Sequence, residues 1–268
     1  MPKIVLDPGH GGSDSGAVNG NHLEKNFNLS IALKVRDQLL RNYDVEVLMT
    51  RTTDTAVSLS ERTNMANRIN ANYYCSIHAN TGGGTGFESY IYNGAVSNRT
   101  ANAQRIIHNE VMNRLSSYGV RDRGMKRANF HVLRETRMPA ILLENLFIDN
   151  NVDLRLLRNQ SFQHTLGIAI SEGIAKAMSL KKFAVTDVER GDQMQRVMAG
   201  SFAIRDNAER RKNYLNSNGI EAVVVRHAVG SNIRYRVQAG AFRNRDLAQA
   251  RLNAVIKLGI TDAYITAE

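Results

Sequence analysis

The sequence predicts an α/β domain, a mixed, mostly parallel sheet flanked by helices, followed by a small βαββαβ domain. Three observations predict it. Short β-type apolar runs alternate with long helical patterns through residues 1–180, the order that gives a parallel sheet with crossover helices. Several of those runs break at their carboxyl ends on glycine, histidine or a carboxylate. Residues 191–268 repeat one strand–helix–strand unit twice.

The first strand is Ile4-Val5-Leu6, ended abruptly by Pro8, Gly9, Gly11 and Gly12, which places His10 in a turn at the strand's carboxyl edge. Phe27, Ile31, Val35 and Leu39 then recur at helical spacing to about Asn42, and Val45 to Met49 is the next strand. Ser58-Leu59-Ser60-Glu61 is a capping-box pattern opening a helix to about Ala71. Strands follow at Tyr73–Asn80 and Phe87–Tyr92, a helix from Asn98 to Ser116, a strand over Asn129–Leu133 that carries His131, and a strand from Ala140. One helical stretch from Asp153 to about Leu180 closes this domain, taken as residues 1–180, and 181–190 form a linker.

Ligands in open α/β sheets bind beyond the carboxyl ends of the strands. Three runs end there on His10, on His78-Ala79-Asn80 and on Glu144-Asn145, and Glu24 opens the first helix, where the dipole favours an ionised carboxylate. Two histidines, a carboxylate ligand and one spare carboxylate suit a catalytic zinc site with its general base. Asn80 is assigned to substrate, Asp7 is a candidate for orienting a ligand histidine, and the run Gly82–Gly86 is a candidate for backbone contacts to substrate. A nucleotide loop is excluded: Gly9-His10-Gly11-Gly12 has no G-x-G-x-x-G spacing and no Gly-Lys-Ser/Thr.

The chain has 268 residues, 43% apolar and 22% charged, with 35 Lys and Arg against 25 Asp and Glu. The net charge of +10, spread over both domains, suits a polyanionic partner without choosing among nucleic acid, an acidic membrane and a cell wall. Cys75 stands alone within an apolar strand, so it reads as a buried hydrophobe and not a nucleophile, and no intrachain disulfide forms. No apolar run reaches the length of a membrane span, and no signal peptide precedes the first strand.

The ordered motifs Asp7-Pro8-Gly9-His10-Gly11-Gly12, Glu24-Lys25, Ser76-Ile77-His78-Ala79-Asn80 and Met138-Pro139-Ala140-Ile141-Leu142-Leu143-Glu144-Asn145-Leu146-Phe147 resemble those of the zinc-dependent N-acetylmuramoyl-L-alanine amidases of bacteria and their phages. The resemblance covers roughly residues 1 to 180. It implies zinc ligands at His10, Glu24 and His78, catalysis by Glu144, and hydrolysis of the amide between N-acetylmuramic acid and L-alanine in stem-peptide-bearing peptidoglycan. Many relatives carry glycine or another small residue where this chain has Asn145-Leu146. The alternatives are a zinc carboxypeptidase or endopeptidase acting on wall peptides, and a non-catalytic wall-binding protein.

In residues 191–268, Arg196-Val197-Met198-Ala199-Gly200-Ser201-Phe202 matches Arg236-Val237-Gln238-Ala239-Gly240-Ala241-Phe242. Two such units make a ferredoxin-like sandwich whose first and third strands are central. Strand parity turns Val197, Ala199, Val237 and Ala239 to the helices and Arg196, Met198, Arg236 and Gln238 to the open face. Those central strands put no aromatic residue on that face, which argues against RNA binding. The repeat resembles SPOR domains, which implies binding of denuded glycan through Arg196, Met198, Arg236 and Gln238, with Met198 standing where the family often has glutamine. With no signal peptide and the early Asp7-Pro8-Gly9-His10-Gly11-Gly12 motif, the combination resembles the mother-cell-lysis amidases of spore-forming bacilli, with phage endolysins close behind, which implies accumulation in the cytoplasm of a mother cell or phage-infected cell until lysis and association with the wall after release.

Overall fold

The computed structural model describes residues 1–183, 194–229, 232–242 and 245–267. They fall into two compact units, Met1–Ala184 and Val185–Glu268. Of the linker reading for 181–190, residues 184–190 lie outside the described residues.

The first unit is built on β1 (Lys3–Pro8), β4 (Glu46–Met49), β5 (Tyr73–Asn80), β6 (Phe87–Tyr92), β7 (Asp122–Ala128) and β8 (Ala140–Phe147), with a small hairpin of β2 (Val18–Asn19) and β3 (His22–Leu23). The sheet order is β4-β1-β5-β8-β6-β7. The first four strands are parallel, and β6 runs antiparallel to β8 with β7 parallel to β6. Alternation along each strand feeds two cores. Ile4, Leu6, Ile77, Ile141 and Leu143 pack beneath α1 (Glu24–Asn42), α3 (Asn98–Leu115) and α6 (Gln160–Ala177). Val5, Tyr74 and Leu142 pack beneath α2 (Leu59–Arg68) and α4 (His131–Arg134). Ser58 closes the capping box of α2 with Glu61.

Two elements differ from the sequence reading. The strand expected over Asn129–Leu133 is Asp122–Ala128, and His131 opens the short helix α4. The edge strand is too basic and irregular to show a strand's alternation, whereas Val132 and Leu133 are apolar because they bury one helical turn near α2. The single helix expected from Asp153 is two, α5 (Asn151–Leu157) and α6. Asn159 restarts the chain by accepting from the N–H groups of Ser161 and Phe162.

The second unit runs β9 (Gln195–Phe202), α7 (Arg205–Ser217), β10 (Val223–Val229), β11 (Asn232–Phe242), α8 (Arg245–Lys257) and β12 (Tyr264–Ala267). All neighbours in the order β10-β11-β9-β12 are antiparallel, so the first and third strands are central. Val197, Ala199, Val237 and Ala239 are fully buried with Ala208, Leu215, Ala248 and Val255 of the helices. The repeat extends to detail. Gly200 and Gly240 have φ of 121° and 146°, and a Cβ on either would collide with the ring of Phe202 or Phe242 two residues on. Arg211 and Arg251 lie over those rings and donate to the carbonyls of Ala199 and Ala239.

Candidate active site

The sheet order brings the carboxyl ends of β1, β5 and β8 side by side, and the turn after β1 is held there by cations. Arg51, 3% exposed, donates to the carbonyls of Pro8 and Gly9. Arg62, also 3% exposed, donates to those of Pro8 and His10 and to the carboxylate of Asp7. Lys25 takes the carbonyl of Gly12 and pairs with Asp54. These bonds offset the cost of His10's left-handed backbone, φ 60°. Gly9 must be glycine because a Cβ there would fall 2.1 Å from the His78 ring.

Glu24 is the first residue of α1 and 4% exposed. One of its oxygens lies 3.2 Å from His10 Nε2 and the other 2.9 Å from His78 Nδ1. Asn28 and the N–H groups of Ala17 and Ala79 fix the same carboxylate. One ligand atom from each of His10, Glu24 and His78 falls within 4.8 Å of the others. His10 Nδ1 meets Asp14 Oδ2 at 2.8 Å, which leaves Nε2 turned inward. The residue orienting a histidine is thus Asp14 and not Asp7, the expected one. Asp7 is buried and spent on Thr50, Arg62 and Ser76.

The three groups shift one another's proton affinities. The hydrogen bond to Glu24, assisted by Asp14 and opposed by burial, raises the His10 pKa to about 9. Burial disfavours a charged His78, but Glu24 and Glu144 push its pKa up overall. Burial also opposes ionisation of Glu24, yet the two histidines hold it far below the usual carboxylate range. Two imidazoles with one carboxylate are a donor set that suits zinc.

Glu144 is the Cα partner of His78 across the parallel β5–β8 pair, so both side chains leave the same face of the sheet. Burial, aided by the negative charges of Glu24 and Glu88 and opposed by His78, lifts its pKa to about 7. Its Oε2 is buried and meets no hydrogen-bond partner among the described residues. Just beyond, a bulge breaks the register between β5 and β8, and Leu146 takes φ 72°, a left-handed conformation that favours glycine. A cleft of about 740 Å³ opens on Glu144, lined also by His10, His78, Leu59, Phe130 and His131.

Other assignments fall differently. Asn80 donates to Glu88 at 2.8 Å and accepts from the N–H of Thr81, so its amide serves the scaffold as it stands. In the run Gly82–Gly86, the N–H groups of Gly82 and Gly83 are taken by Asp149 and that of Gly86 by Asp153. Cys75 is fully buried, and burial pushes its thiol pKa far up, as suits a hydrophobe. Sequence reasoning missed Asp14, Arg51, Arg62 and Glu88. Asp14 alone left a signal, four residues after His10 in a glycine-rich turn.

On the open face of the second unit, Arg196 donates to Gln238 at 3.2 Å across the central pair, and Arg236 is half-buried nearby on β11. Met198, assigned to glycan contact, is only 3% exposed between its partners Gln238 and Tyr264. Register adds Val223 and Val225 of β10 and Tyr264 of β12 to this face, all substantially exposed.

Among the described residues no helix is long and apolar enough to cross a membrane. Residues 4–176 match the N-acetylmuramoyl-L-alanine amidase family and residues 195–267 the SPOR domain family. The chain is 42% identical over 226 residues to the sporulation-specific N-acetylmuramoyl-L-alanine amidase of Bacillus subtilis (strain 168), covering 84% of this chain and 85% of that protein. It is 43% identical over 185 residues to the endolysin of Bacillus phage SPP1, covering 68% of each. The catalytic domain of the amidase CwlV from Bacillus (Paenibacillus) polymyxa var. colistinus superposes with a TM-score of 0.63 at 36% identity. That superposition covers 68% of this chain and all of the other.

Proposed function

Because the chain belongs to the N-acetylmuramoyl-L-alanine amidase family, we propose that His10, Glu24 and His78 hold a zinc ion and that Glu144 is the general base. The reaction is hydrolysis of the amide joining N-acetylmuramic acid to the L-alanine of the stem peptide in peptidoglycan. The observation that carries the reading is the convergence of three donor atoms within 4.8 Å beside the half-buried carboxylate of Glu144, whose buried Oε2 meets no hydrogen-bond partner among the described residues.

Zinc, when bound, supplies Lewis acidity, bringing the pKa of water towards roughly 7 and polarising a carbonyl. The rest belongs to the chain. Glu144 accepts the proton of the attacking water as that water adds to the lactyl carbonyl, and returns it to the nitrogen as the C–N bond breaks. A carboxyl group whose burial favours the protonated form can hold the proton between the two steps. Asp14 keeps His10 Nε2 facing inward, and Leu59, Phe130 and Leu142 give the cleft beside Glu144 its apolar lining. The products are the muramyl carboxylate and a stem peptide with a free L-alanine amino group.

The SPOR domain directs the enzyme to peptidoglycan, and we assign it the denuded glycan that amidase action leaves. Similarity to a sporulation-specific amidase and to an endolysin supports work in wall lysis, at sporulation or at phage release. Mass spectrometry of fragments released from purified wall, with and without a chelator, tests the reading. Intact stem peptides beginning with L-alanine, lost on chelation and restored by zinc, are the expected result. Peptides cut internally or at their carboxyl end would make the chain an endopeptidase or carboxypeptidase. No release in the zinc-loaded state would make it a wall-binding protein.

A further inference from the structure

We propose that Arg123 and Lys126, mounted on the buried carboxylate of Glu88, form a site for a carboxylate of the substrate's stem peptide. The proposal rests on the amidase reading. Glu88 is 2% exposed and is the Cα partner of Glu144 across β6 and β8. It therefore stands beside the proposed base, one strand further from the His10–Glu24–His78 cluster. Its Oε1 accepts from Asn80 and from the Tyr90 hydroxyl, and its Oε2 from Arg123 Nε at 2.7 Å and from Lys126 Nζ. One buried negative charge thus carries two cations. The side chains of Arg123 and Lys126 remain 26% and 36% exposed, with N–H groups beyond those used on Glu88.

The surroundings join this pair to the cleft and keep it positive. Phe130, which lines the cleft with Glu144, stacks edge-on against Tyr90 at 5.3 Å. The Lys126 ammonium lies 5.7 Å from the centre of the other ring of that pair, Tyr90. Phe130 of the cleft wall thus touches Tyr90, against whose ring the Lys126 ammonium lies. The segment carries Arg121, Arg123, Lys126 and Arg127 against a single acid, Asp122, which is engaged by His108 at 2.9 Å. Glu88 neutralises one charge of the pair and leaves the other for a ligand, and a fixed guanidinium beside an ammonium suits a carboxylate.

Spacing selects which carboxylate. Arg123 and Lys126 bring their charged ends back onto Glu88, one strand from Glu144 and so about 5 Å away at the usual inter-strand distance, and extended peptide advances about 3.3–3.6 Å per residue. A carboxylate one to two residues beyond the cut, such as that of the second stem residue, reaches the pair. The ligand class is an acidic peptide on the amine side of the scissile amide.

The test compares two soluble muropeptides in the zinc-loaded full-length enzyme, one with free carboxylates on the second and third stem residues and one with those groups amidated. Wild type should favour the acidic substrate in kcat/KM by roughly tenfold, the scale of one charge-assisted hydrogen bond, and increasingly so at low salt. Arg123→Gln and Lys126→Gln should bring that ratio towards one, mainly through the KM of the acidic substrate, and Lys126→Arg should restore it. The ratio is taken within one preparation, so partial misfolding of a variant does not disguise it. Equal use of both substrates by wild type, or an unchanged ratio in both Gln variants, would overturn the proposal while leaving the amidase reading intact. Hydrolysis of neither substrate would instead remove that reading.

Discussion

Arg62 Nη1 lies 2.7 Å from Asp7 Oδ1, with 4% of the arginine side chain and 1% of the aspartate exposed. The pair ties α2 to the turn that presents His10, since the same guanidinium also holds the carbonyls of Pro8 and His10. Removing one member of such a pair leaves an uncompensated buried charge and costs about 3–5 kcal/mol. Urea denaturation of Arg62→Leu should show a loss on that scale, together with weaker zinc binding through the freed His10 carbonyl. Asp7→Asn/Arg62→Leu should be less destabilised than the sum of its single changes, because neither charge is then stranded. Additive losses would show that the two residues act independently.

Stability should fall with acid through the same carboxylates. Burial works against ionisation of Asp7, but Arg62 and Thr50 hold its pKa below 3.8. Glu88 is held at about 2 by Lys126, Tyr90 and Arg123 against the same opposing effect of burial. A depressed folded-state pKa means that the unfolded chain binds the proton first. The stabilisation is complete above the unfolded values near 3.8 and 4.5 and is lost as pH falls through the folded ones. Denaturation curves between pH 5 and about pH 2 should show this decline, and Glu88→Gln should flatten its share. A variant as acid-sensitive as wild type would remove Glu88 from the account.

Glu144→Gln should bind zinc normally and lose turnover by a factor of roughly 100 or more, the usual scale of general-base catalysis. His10→Ala and His78→Ala should lose the metal itself, read by metal analysis after dialysis. Near wild-type activity in Glu144→Gln would end its assignment as the base.

What the sequence showed and hid follows from where the chemical signal resides. Local periodicity and turn chemistry are written in neighbouring residues, so the strand ending at Pro8, the capping box at Ser58 and the repeat at Arg196/Arg236 are legible one segment at a time. His10, Glu24, His78 and Glu144 are legible because each closes or opens such a segment. Glu88 is invisible by the same logic: it lies inside an unremarkable strand and gains its partners only when β7 and β8 pair on either side of β6. Arg51 and Arg62 look like surface arginines until the turn folds onto them. Met198 has the parity of a surface residue, yet it is only 3% exposed on a central strand flanked by β11 and β12.

Residues 1–184 should fold and hydrolyse soluble muropeptides without the second unit. Both cores of the first unit lie within this segment, as do all the residues assigned to the chemistry. Truncation should lower activity on intact wall far more than on soluble substrate. Equal loss on both would show that the catalytic unit needs the second one.

The second unit should bind glycan through its open face, and its residues should separate into contact and support. Gln238 is half-buried, with its oxygen already held by Arg196 at 3.2 Å, which leaves its NH₂ donors for sugar hydroxyls. Arg196 and Arg236 add attraction to the anionic wall that weakens with salt. Residues 191–268 alone should sediment with peptidoglycan, and more strongly after an amidase has removed the stem peptides. Gln238→Ala should weaken that binding more than Met198→Ala does at a temperature where both are folded. Met198 is 3% exposed, so Met198→Ala should instead lower stability by about 2–5 kcal/mol, as truncating a buried methionine does. Equal sedimentation of wild type and a Gln238→Ala/Arg236→Ala variant, at low and physiological salt, would place the glycan on another surface of the domain.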